Sequence, residues 1–138
     1  MPESQLILIF IAIVQLESGG NIKARNEDAY GPAQIKPAVV QDVQSWGHTA
    51  TLKDRGTLDG SYRLFALYTD RWIAKMGLPD TAEVRASIWR HGPNSAYVRK
   101  PNAYATRVRS LMQNPDLRWA HPDSRKWLAD RQKRNLRR

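Results

Sequence analysis

The sequence predicts a mainly α domain, α+β at most through one short hairpin, built as a single compact unit around a buried N-terminal helix. Three observations carry this. The nine residues from Leu6 to Val14 hold no polar side chain, and after Gln15, Leu16 and Glu17 the chain breaks at Ser18-Gly19-Gly20. Several later segments place apolar side chains three and four residues apart, the spacing of a helix face. No run of any length alternates with the two-residue period of a strand, and there is no internal repeat or low-complexity segment.

Taken in order, the stretch from about Ser4 to Glu17 reads as a helix that is apolar on nearly all sides, as one passing through the middle of a domain must be. The following glycines stop it. Gly19 to Pro32 is rich in Gly and Asn and reads as an irregular loop or short hairpin. Pro37 is suited to a first helical position, and Val39, Val40, Val43 and Trp46 recur at helical intervals until Gly47. His48 to Ser61, with Gly56, Asp59 and Gly60, reads as a long loop. Tyr62, Phe65, Tyr68, Trp72, Ile73 and Met76 then mark one face of a helix of about four turns, closed by Gly77 and Pro79. Asp80 followed by Glu83 is a capping arrangement, which predicts a helix over Thr81 to His91 with Val84 and Ile88 inward. Asn102 caps another, whose buried stripe is Tyr104, Val108, Leu111 and Met112. A last, polar helix starts near Asp123 with Trp127 and Leu128 as its anchors.

A chain of 138 residues, 41% hydrophobic and with five Trp, suits one domain with a real core and argues against disorder throughout. The absence of Cys excludes disulfides, thiolate metal ligands and a cysteine nucleophile. The net charge of +9 is uneven: residues 114 to 138 carry eight Lys/Arg against three Asp, ending in Arg131, Lys133, Arg134, Arg137 and Arg138. This basic extension beyond a domain of residues 1–113 is either a solvated end or an electrostatic approach to a polyanion such as nucleic acid, anionic lipid or acidic wall polymer. Nothing beyond charge points to nucleic acid. Nine apolar residues fall short of the ~20 that span a bilayer, so no transmembrane segment is expected. Met1-Pro2-Glu3-Ser4 lacks the positive start of a secretory signal, so no Sec-type export signal is expected. His48, His91 and His121 have no metal-ligand spacing, and no phosphate loop or serine elbow is present, so neither metal nor cofactor is implied.

The residue with most chemical content is Glu17. Three, four and seven positions before it on the helix stand Val14, Ile13 and Phe10, so its face is apolar. Burial and the negative end of the helix dipole both disfavour a carboxylate there, the arrangement expected of a general acid that protonates a glycosidic oxygen.

Glu17-Ser18-Gly19-Gly20-Asn21, with Ala24, Asn26, Tyr30-Gly31-Pro32-Ala33-Gln34-Ile35 and Pro37, resembles the soluble lytic transglycosylase and goose-type lysozyme superfamily. In that family a helix delivers Glu-Ser, and a Gly-Leu-Met-Gln-Ile-like stretch follows about fifteen residues after the Glu. Ile88-Trp89-Arg90-His91-Gly92-Pro93 is similar to the family's Ala-Tyr-Asn-Ala-Gly-Pro block, and Asn102 to Val108 to its Tyr-Val-x-Arg-Val helix. The resemblance spans about residues 5 to 112 and implies a lysozyme-like fold. Pro32-Ala33 in place of Leu-Met, Arg90 in place of Asn, and one residue fewer between Asn26 and Gly31 are departures.

By that resemblance Glu17 is the catalytic acid/base, Ser18 orients it or the substrate, Gln34 contacts the sugar and Tyr104 hydrogen-bonds toward the carboxyl. Trp89 and Trp46 are candidates to stack on sugar faces, or else core aromatics. The implied reaction cleaves the β-1,4 bond between N-acetylmuramic acid and N-acetylglucosamine in peptidoglycan, forming a 1,6-anhydro sugar with a single carboxyl group. Glu27 and Asp28 are either solvated loop acids or the water-holding partner of an inverting lysozyme. A noncatalytic wall-binding or virion module is the reading from another class. The expected place of action is the bacterial wall, reached as a phage lysis or virion component or through a secretion or pilus machine.

Overall fold

The computed structural model describes residues 1–136. Helix α1 (Glu3–Ser18) runs through the centre, and Ile7, Ile9, Phe10, Ile11, Ile13 and Val14 on it are wholly buried. Each such side chain withdrawn from water contributes about 1.5–3 kcal/mol, which is why an all-round apolar helix settles inside. It ends where expected: Gly19 takes φ 64°, and its N–H donates to the Gln15 carbonyl.

The Gly/Asn-rich stretch folds as a hairpin of β1 (Arg25–Asn26) and β2 (Ala29–Tyr30), with Arg25 opposite Tyr30 and Asn26 opposite Ala29. Helix α2 (Pro37–Ser45) starts on its proline and buries Val40 and Val43. The expected loop from His48 to Ser61 is corrected by the structure. Thr51 and Asp54 form a reciprocal capping box over a 3₁₀ turn at Leu52–Gly56, and α3 (Leu58–Met76) then begins four residues before Tyr62. Thr57 caps it by accepting from the Gly60 N–H at 2.9 Å. Gly60 serves close packing rather than loop freedom, because a Cβ there would lie 2.3 Å from the Asp54 carbonyl oxygen.

Helix α4 (Ala82–His91) is capped by Thr81, which accepts from the Val84 N–H. Asp80, expected as the cap, instead receives Arg85 Nε at 2.8 Å and the Met1 ammonium at 3.1 Å. Arg85 is almost wholly buried and also reaches Asp70 at 2.7 Å, so its charge is paired inside the fold. Asn102 caps α5 (Ala103–Gln113) as expected, accepting from the Ala105 N–H at 2.9 Å.

The extension after residue 113 packs on the same body. In α6 (Pro122–Leu136) Leu128 is buried, and the Trp127 ring lies 5.4 Å from Phe10 and 5.5 Å from Tyr62. Arg131 ties this helix down through Asp59 at 3.1 Å and Glu3 at 3.6 Å. Arg137 and Arg138 of the basic end lie outside the described residues. Among the described residues no helix is long and apolar enough to cross a membrane.

Candidate active site

The C-terminal end of α1 opens into a cleft of about 730 Å³, lined by residues of the hairpin, the start of α2, α4 and α5. Glu17 lines it with its side chain 11% exposed, so the carboxyl is reachable yet largely out of water. Val14, Ile13 and Phe10 behind it are fully buried. Tyr104, from the first turn of α5, donates its hydroxyl to Glu17 Oε2 at 2.9 Å. Burial first, and then the neighbouring Glu17 carboxylate, push the Tyr104 phenol far above its ordinary value, so it stays a donor through the neutral range.

Arg90, at the end of α4, places Nη1 3.6 Å from Glu17 Oε1. Its guanidinium also lies over the Tyr104 ring, 5.7 Å from the centroid. Arg90, which stands where the family has Asn, therefore supplies a cation to the acid itself.

Gln34 lines the cleft in a left-handed conformation, φ 53°. Its amide nitrogen donates to the Ala24 carbonyl at 3.0 Å and the Gly31 carbonyl at 2.9 Å. Both amide protons are thus spent on the loop, and Oε1 is the atom left to accept from a ligand. Gly31, φ 89°, is required beside it: a Cβ there would sit 1.6 Å from the Arg55 carbonyl oxygen. The buried Arg55 guanidinium donates to the Asp28 carbonyl at 2.9 Å and the Ile35 carbonyl at 3.0 Å, pinning both ends of β2 and its following turn.

Trp89 lines the cleft, but its ring is set edge-on against Phe65 at 5.4 Å and Tyr68 at 6.0 Å, and its N–H donates to the Ala33 carbonyl at 3.1 Å. It couples α4 to the Gln34 loop. Trp46 is not part of the cleft lining; it stacks on Tyr68 at 5.8 Å and meets Trp72 edge-on. Ser18 does not line the cleft either. Its hydroxyl lies 2.7 Å from the Pro32 carbonyl and 3.1 Å from that of Val14, and it accepts from the Gly20 N–H. Ser18 therefore locks the loop to the end of α1 immediately beyond the acid. Of the two loop acids, Glu27 lines the cleft and Asp28 does not.

The structure thus brings Glu17, Gln34, Tyr104 and Trp89 to one cavity, together with Arg90, Lys36 and Arg107, which sequence reasoning did not place there. Arg107 had a local signal, standing three residues after Tyr104 on the same helix face. Lys36 and Arg55 had none. A smaller groove of about 400 Å³, lined by Leu78, Val84 and Val98 among others, contains none of these residues. Among the described residues no group of three or more His, Asp or Glu is placed to hold a metal ion. No protein-family model, curated protein or solved structure matches the chain.

Proposed function

We propose that the chain is a peptidoglycan-cleaving muramidase, a lytic transglycosylase that breaks the β-1,4 bond between N-acetylmuramic acid and N-acetylglucosamine. The observation that carries this reading is a single shielded carboxyl, Glu17, held by Tyr104 in the lining of an open cleft.

With Oε2 accepting from Tyr104, Glu17 Oε1 is the oxygen left free to carry a proton to the substrate. It passes that proton to the glycosidic oxygen as the C1–O bond breaks. The substrate's own 2-acetamido oxygen stabilises C1, so no second protein carboxylate is needed at this stage. Arg90, beside Oε1, stabilises the carboxylate that proton donation leaves behind. The 6-hydroxyl oxygen then attacks C1 and returns its proton to Glu17, closing the 1,6-anhydro ring without consuming water. The expected test outcome is that Glu17→Gln folds normally and releases no muropeptides from purified walls; retained release would end the reading.

A second reading rests on Glu27, which lines the same cleft. If it holds a water, the reaction is hydrolysis by an inverting lysozyme, and the products carry ordinary reducing ends. Action on the wall, with delivery as a virion component or through a secretion machine, belongs to this proposal.

A further inference from the structure

We infer that the cleft is built for a glycan that carries carboxylates, and that Lys36 and Arg107 are the residues that recognise them. This rests on the muramidase reading and names the substrate class within it. The lining holds three cations, Lys36, Arg90 and Arg107, against two carboxylates, Glu17 and Glu27. Arg90 is engaged with Glu17. Among the described residues, Lys36 and Arg107 have no carboxylate within ion-pair distance and no hydrogen-bonded side-chain partner, although both face a cavity large enough for several sugar units.

Their placement is specific. Lys36 immediately precedes α2 and Arg107 stands on α5 one turn beyond Tyr104, so two separate elements bring a cation each to the cavity that holds the Glu17–Tyr104 pair. A neutral polymer of N-acetylglucosamine offers such cations nothing. Peptidoglycan offers carboxylates at every muramic acid unit, either on the lactyl group of a bare strand or on the peptide stem. Both side chains are exposed at the cleft, so their pull on such a group is a long-range attraction that added salt weakens.

The test uses the whole protein and soluble strands of equal length in four forms: peptide-bearing, peptide-bearing with amidated carboxylates, stripped to the lactyl carboxylate, and neutral N-acetylglucosamine oligomers. Lys36→Ala/Arg107→Ala is expected to raise KM for the carboxylate-bearing strands about tenfold at low salt, with kcat changed much less, and to erase most of the salt dependence of KM. Lys36→Arg/Arg107→Lys should restore it. Loss on the amidated form alone assigns the contact to the stem; loss retained on the stripped form assigns it to the lactyl group. An equal rise in KM on neutral oligomers, or a wild-type KM indifferent to both salt and amidation, overturns the inference while leaving the muramidase reading standing. Absence of cleavage of every glycan by the wild-type chain overturns the muramidase reading itself.

Discussion

The Tyr104 hydroxyl donates a 2.9 Å hydrogen bond to Glu17 Oε2 across 87 residues of sequence. It joins the last turn of the central helix to the first turn of α5. The bond fixes which carboxyl oxygen is left to move a proton, and it comes from a phenol that burial keeps neutral. Tyr104→Phe removes the donor and keeps the ring. A hydrogen bond to a charged group contributes about 1.5–3 kcal/mol, so kcat is expected to fall about tenfold to a hundredfold with little loss of stability. Steady-state turnover of wall fragments beside a urea melt separates the two effects; an unchanged kcat would remove Tyr104 from the mechanism.

Gly31 carries a different burden. At φ 89° and with the Arg55 carbonyl where a Cβ would stand, Gly31→Ala must both strain the backbone and displace the loop that holds Gln34. A loss of at least about 2 kcal/mol is expected from these two effects. Denaturant midpoints measure it, and a variant as stable as the wild type would show that the loop can shift freely.

How much of this was readable in the sequence depends on whether the cause was local. The end of α1 at Gly19 and the Asn102 cap of α5 are set by residues a few positions apart, and they stood where the sequence placed them. Gly60 reads in the sequence as part of a loop because a glycine's tight neighbour, here the Asp54 carbonyl, is invisible until the turn is built. Asp80 and Thr81 are both good caps; the Arg85 side chain arriving from the next turn decided between them. In the site, Glu17, Gln34 and Tyr104 were marked by motif. Arg107 follows Tyr104 by one helical turn and so carries a local signal, whereas Arg90 beside the acid and Lys36 at the cleft are products of tertiary packing.

Acid lability should report on Asp80. The Arg85 hydrogen bond, assisted by the N-terminal ammonium, holds its carboxyl below the ordinary 3.8. The folded state therefore binds this proton more weakly than the unfolded chain. The stabilisation is present above that ordinary value and is lost as pH falls through the folded one. Asp80→Asn should melt below the wild type at about pH 6, with the two melting temperatures converging as the pH falls well below the ordinary carboxylate value. Parallel curves across that range would contradict the assignment.

The basic extension is expected to be structural as well as charged. Trp127 packs on Phe10 and Tyr62, so Trp127→Ala should cost about 3 kcal/mol, near the lower end for a large aromatic because the side chain is only partly buried. A thermal melt unchanged by the substitution would mean that α6 adds nothing to the core.

The most direct test of the central claim, a single carboxyl acting as both acid and base, is the mass of the products released from purified peptidoglycan. A lone acid/base at Glu17 yields muropeptides ending in 1,6-anhydro-N-acetylmuramic acid, each one water lighter than a reducing-end fragment, and none from Glu17→Gln. Reducing ends from the wild type, with turnover abolished by Glu27→Gln, would contradict it.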